Sequence, residues 1–184
     1  MFSFIFFSLW FFAPAGLANM AAFVSGKIGF LKKLNYPVDC HLKVGGKRIL
    51  GDHKTVRGFL SAIVVGIIAC FVEIVCYSNF FSIRELIPVD YYTVNPIILG
   101  GLLGLGALVG DSVKSFFKRR VNIEPGKSWF PFDQIDYIIG GIVFSAFYIH
   151  LSFGEYVLLF IVWFLLHPIT TSIGYLLKIR HMPI

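Results

Sequence analysis

Residues 94–141 read VNPIILGGLLGLGALVGDSVKSFFKRRVNIEPGKSWFPFDQIDYIIGG, and the order of features in this stretch decides the fold. An apolar, glycine-rich run over 94–113 carries a single charge, Asp111, near its end. A loop bearing Lys114, Lys118, Arg119, Arg120 and Lys127 follows, and a second apolar run opens on Asp133 and Asp136. A helix needs about 20 mainly apolar residues to cross a hydrocarbon core of about 30 Å, so the order is span, basic loop, span.

The same pattern extends in both directions. Candidate spans lie at 2–23, 59–77, 94–113, 137–153 and 156–177, the last with a kink expected at His167-Pro168 because proline lacks an amide hydrogen. Backbone groups in lipid must be satisfied within the segment, which makes all five helical. The expected fold class is an all-α integral membrane protein with five transmembrane helices, forming one domain over residues 1–184. Composition agrees: 57% of the 184 residues are hydrophobic and 14% charged, against roughly half and a quarter in ordinary soluble domains. A soluble globular enzyme and a disordered chain are both excluded.

Lys and Arg favour cytoplasmic loops. With five spans, the loop over 20–57, the loop over 114–131 and the C-terminal tail share one side and hold 15 of the 16 basic residues; only Arg84 lies opposite. The N-terminus is therefore expected outside, with two basic loops in the cytoplasm and the chain in the cell membrane. The net charge of +6 is read as facing the bilayer surface and anionic substrates, with no nucleic acid as partner. Ala13, Ala15 and Ala18 would suit a signal-peptide cleavage point, but no basic segment precedes the run. Cys40, Cys70 and Cys76 have no metal-binding spacing and read as free thiols.

Asp111 ends one helix, while Asp133 and Asp136 stand three residues apart on one face of the next, so all three carboxylates can meet at one depth. Clustered acids at a membrane boundary repel unless a cation compensates them. Mg2+ suits the place, because it takes one or two carboxylates together with phosphate oxygens and water. For Asp133 alone, capping the fourth helix is an equal account. Lys114 and Lys118 share a helix face with Ser115, and Lys54 and Arg57 arrive from the other loop; such bases could neutralise a metal-bound polyphosphate, or set topology and attract anionic head groups. Gly51, Gly58, Gly110 and Gly126 would let backbone amides approach a phosphate. Glu73 is expected near the outer interface, and His150 and His167 read as packing groups. The run Gly100-Gly101, Gly104, Gly106 allows close helix contact within a subunit or in a homo-oligomer.

At these segments the chain resembles the CDP-archaeol synthase family, distant relatives of the phosphatidate cytidylyltransferases. The resemblance rests on Pro14-Ala15-Gly16-Leu17-Ala18-Asn19 in the first run, GDHKTVRGF over 51–59, GDSVKSFFKRR over 110–120 and WFPFDQIDYIIGG over 129–141. Pro125-Gly126-Lys127 and Trp129 to Pro131 stand where the broader phosphatidate pattern has a Lys-Asp pair and a Pro-Gly-His stretch, which favours the archaeol-type branch.

The resemblance implies five spans, a site open to the cytoplasm and Mg2+ as cofactor. It implies metal binding by Asp111, Asp133 and Asp136. It also implies contacts from Asn19, Lys54, Thr55, Arg57, Lys118 and Arg119 to CTP, with Lys114 and Ser115 beside them. The reaction implied is transfer of CMP from CTP to a membrane lipid phosphate such as 2,3-bis-O-geranylgeranylglycerol 1-phosphate or a related diacyl or dialkyl glycerol phosphate, giving a CDP-lipid and pyrophosphate. Asp111, Lys118, Asp133 and Asp136 would be the catalytic set. A CDP-alcohol phosphotransferase is the rival enzyme class, but its Asp-Gly opening and G-x-x-x-D-x-x-x-D ending are absent. A non-enzymatic scaffold that binds anionic lipid explains the basic loops but not three acids at one depth.

Overall fold

A computed structural model describes residues 2–124 and 127–176. Gly126, the stretch around Pro125, the C-terminal tail and the last residue of the fifth expected span lie outside the described residues. The helices are α1 (Phe2–Ser25), α2 (Val56–Asn79), the short α3 (Phe81–Leu86), α4 (Pro96–Arg120), α5 (Phe132–Ser145) and α6 (Phe153–Leu176). Among the described residues α1, α2 and α4 are long and apolar enough to cross a membrane.

Glycines set how closely these helices approach one another. A Cβ on Gly66 or Gly104 would strike the backbone of the facing helix, so α2 and α4 touch main chain to main chain. A Cβ on Gly106 would meet the Gly140 carbonyl, one on Gly110 the Asp136 carbonyl, and one on Gly140 the Gly106 carbonyl, so α4 and α5 also touch directly. These contacts are made within the chain; Gly101 faces open space. On α1 the aromatic residues Phe7, Phe11 and Phe12 are buried. Gly16 lies under the Trp163 ring, and the Trp163 indole donates to the Ser8 carbonyl at 2.9 Å, which seats α6 on α1.

The fourth expected span is displaced. Its helix starts at Phe132 and ends at Ser145, so both acids fall inside it, and 14 residues rise only about 21 Å. The chain then continues in a tight turn in which the Tyr148 and Ile149 amides both donate to the Ser145 carbonyl. The Asn95 amide donates to the Tyr148 hydroxyl at 2.9 Å. The segment 136–148 thus runs beside α4 from Gly110 back to Asn95. α6 continues as helix through Pro168.

Glu73 departs from expectation. It is 7% exposed, and neither carboxylate oxygen has a hydrogen-bond partner. It lines an apolar groove of about 550 Å³ between α1 and α2, together with Trp10 and Val72. Its place on α2 explains the difference: it stands near Cys70 and Tyr91, both fully buried.

The loop between α1 and α2 holds a feature that no helix pattern announces. The strands β1 (Lys43–Val44) and β2 (Lys47–Arg48) pair antiparallel across Gly45-Gly46, both at positive φ, as a two-residue hairpin turn requires. Asp39 ties the hairpin together. It accepts from Arg48 Nη2 at 2.7 Å and Nε at 3.2 Å, and from the amides of His41, Leu50 and Gly51. Burial opposes its charge, but the Arg48 guanidinium and the three amides win and hold the carboxyl well below the usual carboxylate range. Lys47 Nζ donates to the Arg120 carbonyl at 3.3 Å, placing a cation at the negative end of α4 and fixing the hairpin to it.

Two outcomes are expected. Gly110→Ala should push α5 off α4, lowering stability by about 1–3 kcal/mol, whereas Gly101→Ala should be silent; thermal unfolding of both purified variants checks this. Because the Asp39 carboxylate is stabilised in the folded state, its contribution is complete above about pH 4 and lost as pH falls further. Asp39→Ala should therefore speed proteolysis within residues 36–51 at neutral pH while leaving helical content unchanged.

Candidate functional site

The C-terminal half of α4, the first turn of α5 and the residue two positions before α2 meet at one end of the bundle. Asp111, Lys114, Ser115 and Lys118 lie along one side of α4 at spacings of three and four residues. Asp133 lies in the first turn of α5 and Asp136 at the start of the second, and the Gly110 contact brings this end of α5 against α4. Thr55 caps α2 by accepting from the Gly58 amide at 3.2 Å, which orients the preceding Lys54 towards α4.

The three carboxylates converge on one ammonium. Lys114 Nζ lies 3.0 Å from Asp111 Oδ1, 2.8 Å from Asp133 Oδ1 and 2.5 Å from Asp136 Oδ2. Lys54 pairs with the other oxygen of Asp111. Lys118 grips both oxygens of Asp133, at 2.7 and 3.0 Å, and donates to the Lys127 carbonyl at 2.7 Å. Asp133 also accepts from the Trp129 amide at 2.5 Å, and Asp136 from the Tyr137 amide at 2.6 Å. Lys118, Ser115 and Asp136 are buried, while the side chains of Asp111 and Lys114 are 18% and 13% exposed. Charges this sheltered are tolerated only in compensated sets, and these acids and lysines compensate one another.

The remaining expected site residues are placed as follows. Arg57 stands one turn beyond Lys54 and Arg119 beside Lys118; in each the Nε–H is buried without an acceptor. Buried donors of this kind normally have a partner, so both suit a ligand rich in acceptor oxygens. Ser115 donates to the Asp111 carbonyl at 2.9 Å within its own helix. Asn19 lies half-buried in α1, outside the ion-pair network. The expected amide contacts from glycine are not formed in this way: the Gly51 amide is used by Asp39, the Gly58 amide by Thr55, and Gly110 closes α4 on α5.

Among the described residues no three acidic, histidine or cysteine side chains stand around an ion position of their own. The donor set nevertheless fits a hard divalent cation by its chemistry: three carboxylates from two helices each place an oxygen within 3.0 Å of one point, and that point holds the Lys114 ammonium. Sequence reasoning placed Lys114 beside the acids but gave no sign that it stands at their centre. The Trp129 amide and the Lys127 carbonyl, which fix Asp133 and Lys118, were also missed, since backbone groups carry no mark in sequence.

The chain is similar over most of its length to proteins of one family. The sequence family described as CarS-like CDP-archaeol synthase matches residues 1–184. A CDP-archaeol synthase of Methanospirillum hungatei is 34% identical over 178 residues, covering 92% of this chain and 98% of that one. Its namesake from Methanocaldococcus jannaschii is 31% identical, covering 96% and 95%, and that from Methanosarcina barkeri is 39% identical over 148 residues, covering 75% and 83%. A solved structure of an intramembrane enzyme for archaeal membrane lipid biosynthesis superposes with a TM-score of 0.69 at 28% identity, covering 88% of this chain and 90% of that one.

Proposed function

The chain belongs to the CDP-archaeol synthase family, and from that premise we propose that it transfers CMP from CTP to an archaeal ether-lipid phosphate, releasing pyrophosphate. The observation that supports this most is the convergence of Asp111, Asp133 and Asp136 on one cation position, with Lys54 and Lys118 on either side. Such a set holds a metal-bound triphosphate without any nucleophilic side chain.

In the proposed reaction a lipid phosphate oxygen forms a bond to the α-phosphorus of CTP. The bond from that phosphorus to the oxygen bridging the β-phosphate breaks, and the electron pair leaves with pyrophosphate. A phosphate monoester is largely dianionic at neutral pH, its second pKa lying near 6, so no strong general base is needed. The protein's work is to align two anions and neutralise the leaving group. Asp111, Asp133 and Asp136 would hold Mg2+, which when bound supplies charge neutralisation at the phosphoryl oxygens. Lys54, Lys118, Arg57 and Arg119 would face the phosphates, with the unpartnered Nε–H groups of the two arginines as donors. The Trp129 amide and Lys118 keep Asp133 in place.

The same reading takes the chain across the cell membrane five times, with this end of the bundle and the Asp39 hairpin in the cytoplasm, where the basic loops belong. The lipid tails remain in the bilayer while the head reaches the carboxylates.

Purified protein supplied with CTP, Mg2+ and a dialkyl glycerol phosphate should release pyrophosphate and form a CDP-lipid; no pyrophosphate above a lipid-free control would refute the reading. Asp133→Asn and Asp136→Asn should each lower turnover by about a hundredfold or more while inserting normally. Lys54→Ala and Arg57→Ala should raise KM for CTP by roughly tenfold or more with the KM for lipid little changed, measured by varying each substrate in turn.

A further inference from the structure

The cation position of the site is filled by the protein's own side chain. Lys114 Nζ touches all three carboxylates, at 3.0, 2.8 and 2.5 Å. Three acids face three ammonium groups, those of Lys54, Lys114 and Lys118, through direct ion pairs, so the cluster is balanced before any ligand enters. A divalent ion entering by itself would meet Lys114 at its own coordination point and would add two positive charges to a sheltered, already neutral set. A triphosphate changes both conditions. It brings four negative charges, and it offers oxygens to which the Lys114 ammonium can move.

We infer that Lys114 is a resident counter-ion that keeps the three carboxylates gathered and yields its position only to a metal ion arriving with a nucleotide triphosphate. The inference rests on the metal-dependent reading of the site given above. The movement is mechanically easy. Lys114 sits one turn beyond Asp111 on α4, and its four-carbon stem lets the ammonium swing to a phosphate while the helix stays in place. Lys54 and Lys118 cannot take this role, since each pairs with only one of the three acids. The device also keeps the acids from repelling one another between turnovers, and it makes uptake of the ion conditional on the substrate it serves.

The test is Mn2+ binding to the full-length protein in lipid nanodiscs, followed by electron paramagnetic resonance with and without α,β-methylene-CTP, against a protein-free nucleotide control. Wild type should bind Mn2+ at least roughly tenfold more weakly without the analogue than with it. Lys114→Met should bind Mn2+ without nucleotide at least roughly tenfold more tightly than wild type does. Equal nucleotide-free affinity in wild type and Lys114→Met would overturn the inference while leaving cytidylyl transfer intact. No Mn2+ uptake by wild type even with the analogue would overturn the metal reading itself, and this inference with it. If Lys114→Met does not fold, wild-type thermal unfolding decides. An upward shift with Mn2+ plus analogue, but none with Mn2+ alone, supports the resident ammonium, and an equal shift with Mn2+ alone refutes it.

Discussion

Everything at the charged end of this bundle depends on α4 and α5 approaching until their main chains touch. Helices in lipid gain little from apolar side chains meeting each other, since lipid tails are equally apolar, and small residues at the seam supply dispersion contact instead. Gly106, Gly110 and Gly140 allow that approach. Its result is chemical as well as mechanical: Asp111 follows Gly110 directly, and the residue whose carbonyl Gly110 meets is Asp136. A side chain at that contact would separate the two helices that carry the acids, and no single ammonium could then reach all three.

The close approach creates an electrostatic problem that the lysines resolve. Three carboxylates within reach of one point are costly in sheltered surroundings, and each is met by at least one ammonium. Backbone amides of Trp129 and Tyr137 take further lone pairs of Asp133 and Asp136. The Asp39 hairpin solves a similar problem: one buried carboxylate collects an arginine fork and three amides, and so gives the loop that delivers Lys54 a fixed shape. Both centres are acids organising cations, one between the helices of the bundle and one in the loop between α1 and α2.

Much of this was legible in the sequence, for identifiable reasons. Apolar length marked the helices, and the spacing of Asp111, Asp133 and Asp136 marked a common depth, because helical periodicity is strict. What stayed hidden depended on tertiary packing. Gly51, Gly58 and Gly110 looked like phosphate-binding glycines, yet their surroundings commit them to Asp39, Thr55 and α5. Glu73 looked interfacial because composition does not reveal which face of α2 is buried by its neighbours. The fourth helix begins five residues earlier than its apolar run suggested, because a helix can start on acids that face partners rather than lipid. Which of the seven nearby cations would stand at the centre of the acids was a question of side-chain reach, which sequence does not encode.

The tight seams of the bundle also limit traffic. Where α2 meets α4 and α4 meets α5, backbone lies against backbone and no acyl or isoprenoid chain can pass between them. A membrane-borne molecule that needs its head at the carboxylates must slip in sideways elsewhere around the circumference, away from these two seams. The same glycines that assemble the charged centre thereby decide from which directions the bilayer can deliver to it.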